Sequence, residues 1–127
     1  MPVLVPGPAS PLLAQRLAGA CDFAIAKVNY RVFPDGESYI RVEDDLKGEA
    51  AVVVQSCPPP QDKRGMELLQ LIDASLRAGA SNVIAVVPYL AYSRQDKVFL
   101  VHEALSSKII AKAIEAVGAS SLVTVNV

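Results

Sequence analysis

The chain has 127 residues, 52% apolar and 20% charged, with twelve basic side chains against thirteen acidic ones. This is the size and composition of one globular domain with a buried core, not of a disordered segment. No basic stripe and no apolar run of membrane length occurs, which excludes nucleic acid as the main partner and a helical membrane span. Cys21 and Cys57 lack metal-ligand spacing and read as reduced core thiols of a cytoplasmic protein. The opening "MPVLVPG" has neither the charged region nor the long apolar core of a signal peptide. His102 is the single histidine, so a histidine-rich metal site is excluded.

In chain order, "VLVP" is a short apolar strand. Ser10 followed by Pro11 starts a helix, the serine capping it and the proline suiting the first turn. Leu13, Leu17 and Ala20 give that helix an apolar face. "KVNYRVFPDGESYIRV" alternates on both sides of Pro34-Asp35-Gly36 and predicts a β-hairpin. "AAVVVQSC" is a continuous apolar strand of the kind buried on both faces in parallel sheets. Met66, Leu69, Ile72 and Leu76 recur at helical spacing before Gly79, and "NVIAVVPYL" is a second buried strand. Ile109, Ile110, Ala113, Ile114 and Val117 form the next helical face, closed by Gly118, and "SLVTVNV" is a third buried strand.

Strands alternating with helices predict an α/β fold with a central parallel sheet, strands near residues 3–5, 52–55, 83–87 and 122–127, and a protruding hairpin across 33–37. In such sheets the chemistry lies just beyond the C-terminal strand ends. The chain stops on its last strand, so it reads as the leading portion of a longer protein.

Two stretches carry chemistry. Around the hairpin turn, Phe33, Asp35 and Glu37 alternate, and alternate residues of an extended chain share a face. A flat heterocycle bearing an amino group, such as adenine, needs a stacking ring and an acceptor of this kind. An ordinary surface turn, with Asp-Gly supplying the positive φ, is the competing reading. "YSRQDK" follows the second buried strand directly. Arg94 offers a planar fork of donors suited to phosphate oxygens, Gln95 donates and accepts, and Lys97 adds a point charge. A solvated loop before a helix is the alternative. Asp44-Asp45 read as solvated, with a metal site as the alternative; His102 beside Glu103 reads as a surface residue, with a general base as the alternative; Tyr89 and Tyr92 read as packing at a strand end. No GxxxxGK[ST] loop and no GxGxxG turn is present.

In order and spacing, "FPDGESYIRV", "VVVQS", "MELLQLIDASLRAGA", "VVPYLAYSRQDK", "SSKIIAKAI" and "VTVNV" resemble ribose-phosphate pyrophosphokinase, the PRPP synthetase family, and its archaeal branch above all. The resemblance runs from about Val28 to Val127. It implies a three-layer phosphoribosyltransferase-like domain, residues 1–127 being the ATP-binding half with a second domain absent. It also implies transfer of the diphosphoryl group of ATP to ribose 5-phosphate, assisted by Mg²⁺. The family's adenine-binding hairpin maps onto Phe33, Asp35, Gly36 and Glu37, and its Arg-Gln pair onto Arg94 and Gln95. The metal-ligand histidine, the ribose-5-phosphate loop and the catalytic loop of the family fall beyond Val127, so no catalytic or metal residue is assigned within the chain. Subunits of the family pair, so a homodimer or larger homo-oligomer is implied, with the ATP site near an interface. The chain departs from the pattern at Val98, where a basic residue is usual, and at Val101-His102, where Pro-Gly is frequent. A non-catalytic ATP-binding or regulatory homologue, or a structural α/β interaction domain, are the alternatives.

Overall fold

The apolar runs become strands of one sheet. In the computed structural model, which describes residues 2–90, 98 and 100–124, the elements are β1 (Val3–Pro6), α1 (Pro11–Cys21), β2 (Ala24–Ile25), β3 (Val28–Val32), β4 (Ser38–Val42), β5 (Ala50–Val54), α2 (Gln61–Arg77), β6 (Asn82–Val87), α3 (Ser106–Val117) and β7 (Ser121–Thr124). Five strands form a parallel sheet in the order β2-β1-β5-β6-β7, and β3-β4 form a separate antiparallel pair. β7, expected as a third buried strand, is instead an edge strand with Ser121, Val123 and Thr124 exposed; the parallel core is otherwise as expected, with the short edge strand β2 added. Two residues carry no periodic signal, which is why sequence reading misses it.

Alternation sorts the strand residues onto two faces. On one face Leu4 and Val54 pack with Ala14 and Ala18 of α1. On the other, Val5, Val53, Val83, Ala85 and Val87 pack with Leu68, Leu71 and Ile72 of α2 and Ile114 of α3. Helix, sheet and helix make the three layers. The hairpin stands outside the sheet and rests on this second cluster through Val28, Ile40 and Val42.

Several expected details change. The buried stripe of α2 is Gly65, Glu67, Leu68, Leu71, Ile72 and Ser75, while Met66 is 53% exposed. This helix is covered by the sheet on one side and by the hairpin and α3 on others, so its buried stripe is wider than a two-sided pattern suggests. Ala20 and Ile109 lie on the exposed sides of their helices. Cys57 is buried, but Cys21, the last residue of α1, is exposed and not in the core. Pro11 does open α1, yet Ser10 does not cap it with its side chain. The Ser10 Oγ instead accepts the Ser56 N–H at 2.8 Å and ties the β1–α1 connection to the end of β5.

Candidate functional site

The hairpin tip is built by its own turn chemistry. Val32 pairs with Ser38, leaving residues 33–37 as the loop. The Phe33 N–H donates to the Glu37 carbonyl and the Gly36 N–H to the Phe33 carbonyl, both at 2.8 Å. Gly36 has φ +96°, a conformation that side-chain-bearing residues adopt at a cost. The Asp35 carboxylate turns back on the loop and accepts the Glu37 N–H at 3.1 Å. That is the local side-chain-to-backbone bond that makes Asp a turn residue.

The result is a division of labour within the motif. Phe33, Gly36 and Glu37 line a cavity of about 490 Å³ between the hairpin tip and the first turns of α2, where Asp62, Lys63, Met66 and Gln70 complete it. Asp35 is not among its lining residues. Phe33 is 40% exposed, so ring surface is open to a ligand or a partner. Its edge is fixed from behind: Tyr39 stands 5.8 Å away, centroid to centroid, at 69°. The Arg31 guanidinium, directly opposite Tyr39 in the ladder, lies 4.4 Å from the Tyr39 ring centre and 5.6 Å from that of Phe33. Cation–π contacts at such exposed positions are worth roughly 0.5–1 kcal/mol each. Gln70 Nε2 donates to the Ser38 carbonyl at 2.9 Å and fastens the tip to α2.

A second polar cluster lies beneath the hairpin. Glu67 is fully buried on α2. Its Oε2 accepts the Tyr30 hydroxyl at 2.6 Å, and its Oε1 accepts Arg64 Nη1 at 2.8 Å and Gln55 Nε2 at 3.1 Å. Gln55, also fully buried, follows the last residue of β5 and uses its Oε1 to accept the Ala9 N–H at 3.0 Å. Beside it, the Cys57 N–H donates to the Tyr89 carbonyl at 2.8 Å, so the segments leaving β5 and β6 are joined at the C-terminal edge of the sheet.

Comparisons with known proteins bear on the chain as a whole. Residues 2–118 match the family described as the N-terminal domain of ribose phosphate pyrophosphokinase. The chain belongs to that family. It is 47% identical over 118 residues to a ribose-phosphate pyrophosphokinase of Methanothermobacter thermautotrophicus, covering 93% of this chain and 41% of that protein. To the enzyme of the same name from Sulfolobus acidocaldarius it is 40% identical over 123 residues, 97% of this chain and 42% of that one. The fold superimposes on the crystal structure of phosphoribosylpyrophosphate synthetase from Mycobacterium smegmatis with a TM-score of 0.93 at 34% identity, over 98% of this chain and 42% of that chain. The chain thus spans about two-fifths of the length of the proteins it matches.

Within this pyrophosphokinase N-terminal domain the expected site residues fall into three groups. Phe33, Gly36 and Glu37 share one cavity, Asp35 belongs to the turn, and Arg94 and Gln95 lie outside the described residues. Among the described residues no group of three or more His, Cys, Asp or Glu side chains gathers as a metal ion would require, and no helix is long and apolar enough to cross a membrane. Sequence reading missed Arg31, Tyr39 and the Glu67 cluster. The available signal was a glutamate inside the apolar run "MELLQLI", which is costly to bury and must therefore find donors.

The Tyr30 hydroxyl gives a pH test. Its hydrogen bond to Glu67, then burial and the Glu67 charge, hold its pKa above the ordinary tyrosine value, against a smaller opposing effect of Arg64. The folded state favours the neutral phenol. Its contribution to stability is therefore complete below the unfolded tyrosine pKa of about 10 and is lost as pH rises through the higher folded value. The stability difference between wild type and Tyr30→Phe should be constant from about pH 6 to 9 and shrink above about pH 10. Urea titrations across that range check it. A difference that instead changes between pH 6 and 9 would rule out the neutral phenol as its source.

Proposed function

We propose that the chain is the ATP-binding part of a ribose-phosphate diphosphokinase. The reaction moves the diphosphoryl group of ATP to ribose 5-phosphate and yields 5-phosphoribosyl 1-diphosphate. The observation that carries this reading is the half-exposed Phe33 ring and Glu37 on one cavity at a projecting hairpin tip, in a chain whose relatives bear that enzyme's name. Phe33 offers its ring to the adenine, and Glu37 offers an acceptor to the exocyclic amino group. The Asp35 carboxylate already accepts the Glu37 N–H, which favours Glu37 over Asp35 as the reader of the base. Arg94 and Gln95, which follow β6 in the sequence, are the proposed phosphate contacts, since a guanidinium fork suits developing charge on phosphate oxygens. Such transfers depend on positioning and electrostatics more than on covalent help from the protein. Mg²⁺ supplies charge neutralisation when bound. The hairpin stands apart from the sheet and leaves Phe33 open, which supports a homo-oligomer in which it completes a neighbouring subunit's site.

The test is base discrimination in the full-length enzyme. Guanine carries a carbonyl oxygen where adenine carries its amino group, so a carboxylate there opposes two acceptors. Glu37→Gln supplies a donor and should lower the ATP-over-GTP preference about tenfold, the equivalent of about 1.4 kcal/mol. Asp35→Asn should leave the preference within about twofold, a change that the turn's own hydrogen bond can absorb. An unchanged preference in Glu37→Gln would return the hairpin to an ordinary turn.

A further inference from the structure

We infer that Glu67 is a positioning residue whose buried carboxylate couples the projecting hairpin to the C-terminal edge of the parallel sheet. The inference rests on the nucleotide-binding reading above for its purpose, and on geometry alone for the coupling itself.

The hydrogen bonds form one continuous path. It starts at the Ala9 N–H on the β1–α1 connection, which donates to Gln55 Oε1 at 3.0 Å. The same Gln55 amide donates through Nε2 to Glu67 Oε1 at 3.1 Å. The carboxylate then accepts the Tyr30 hydroxyl of β3 through Oε2 at 2.6 Å. Three separate elements meet on one acceptor: the end of β5, α2 itself through Arg64, and the hairpin. By contrast, the Gln70 bond to the Ser38 carbonyl fastens β4 to α2 and goes no further.

Packing does not call for this residue. An apolar side chain of similar volume at position 67 would sit beside Leu68 and Leu71 without the cost of desolvating a charge. What a carboxylate adds is direction. It can only accept, so Tyr30, Gln55 and Arg64 must each aim a donor at it, and each is thereby held in one orientation. Gln55 is doubly constrained. Its Nε2 donates to Glu67 and, at 3.4 Å, to the Arg64 carbonyl, while its Oε1 accepts from Ala9 and fills the space that a Cβ at Gly7 would need. The hairpin side holds Phe33 and Glu37, and the sheet-edge side leads on to the segments after β5 and β6. A nucleotide that uses both needs their separation fixed before it arrives, because a geometry already set costs no ordering on binding.

The experiment uses the full-length protein with Tyr30→Phe and Glu67→Gln. Amide hydrogen exchange is followed on the hairpin strands, at Ala9 and along β6. Tyr30→Phe should speed exchange of the β3 and β4 amides about tenfold and of the Ala9 amide at least about threefold, though Tyr30 does not touch Ala9. The amides of β6 should keep their wild-type rates. A purely local packing role would move the hairpin and leave Ala9 alone, and that outcome overturns the coupling. In steady state both variants should raise KM for ATP about tenfold with kcat within about twofold, the pattern of lost binding geometry. An unchanged KM overturns the positioning role. If Glu67→Gln fails to fold, Tyr30→Phe, which keeps the ring and removes one hydroxyl, decides alone. If the wild type forms no 5-phosphoribosyl 1-diphosphate, the proposed function fails, while the exchange rates still decide whether the hairpin and the sheet edge are coupled.

Discussion

Replacing Glu67 by alanine should destabilise the protein by about 3–5 kcal/mol, through unsatisfied donors and the void that truncation leaves. The loss is not the worth of the salt bridge to Arg64, whose side chain is 24% exposed and can turn to water. It comes from the groups that cannot leave. The Gln55 amide is fully buried and would keep an unpaired N–H, and the Tyr30 hydroxyl would face a cavity. An unsatisfied buried donor costs about 1–3 kcal/mol, and the truncation leaves a void besides. The same asymmetry predicts a remedy. The double substitution Glu67→Met, Tyr30→Phe fills the void and removes the phenol donor, while Gln55 keeps its bonds to the Ala9 N–H and the Arg64 carbonyl, and it should recover about half of the loss. Denaturant midpoints of the three proteins measure it. A loss below about 1 kcal/mol in Glu67→Ala would mean that water reaches the cluster and that the network is not dry.

That cluster also marks the limit of what the sequence discloses. The sheet is legible because residues 50–54 and 83–87 are apolar at every position, and a strand covered on both faces needs no alternation. The hairpin is legible because Pro34-Asp35-Gly36 combines a fixed φ with a residue that accepts a positive one. The partnership of Phe33 and Glu37 follows from their spacing, and the structure brings both to one cavity. Asp35 has the right parity as well, but a short carboxylate two residues before a free N–H bonds to it first. Ser10 was misread for a related reason: its hydroxyl has the chemistry of a cap, yet the Ser56 N–H at the end of β5 lies within reach and takes it. Glu67 was invisible because its donors come from Tyr30, Gln55 and Arg64, two of them twelve or more residues away. Periodicity reports which face of α2 is apolar and says nothing about a charge held within that face by distant partners.

A second large effect is expected at Gly7, where β1 leaves the sheet. Gly7→Ala should cost roughly 2–4 kcal/mol, an overpacking strain of about 1–3 kcal/mol together with a disturbed buried hydrogen bond of about 1 kcal/mol. The added Cβ would fall on Gln55 Oε1 and lie 2.7 Å from the Val54 carbonyl oxygen and 2.8 Å from Gln55 Cβ. The side-chain oxygen could swing aside, but only by leaving the Ala9 N–H. The Val54 carbonyl cannot move freely, because it accepts the Gly7 N–H at 2.8 Å and belongs to β5 in the middle of the sheet. Against this stands the usual gain from replacing glycine, about 0.4–1 kcal/mol from a less flexible unfolded chain. The strain is larger, so the sign is destabilising. Gln55→Ala in the same chain removes the amide contact, keeps the Cβ and backbone contacts, and deprives Ala9 and Glu67 of a partner, so the double variant should cost less than the sum of the two single changes without recovering wild-type stability. The measurement is the denaturant midpoint of the single and double variants. A Gly7→Ala protein as stable as wild type, or more so, would show that β1 and β5 can separate at this edge, and the close approach that orients Gln55 would lose its structural basis.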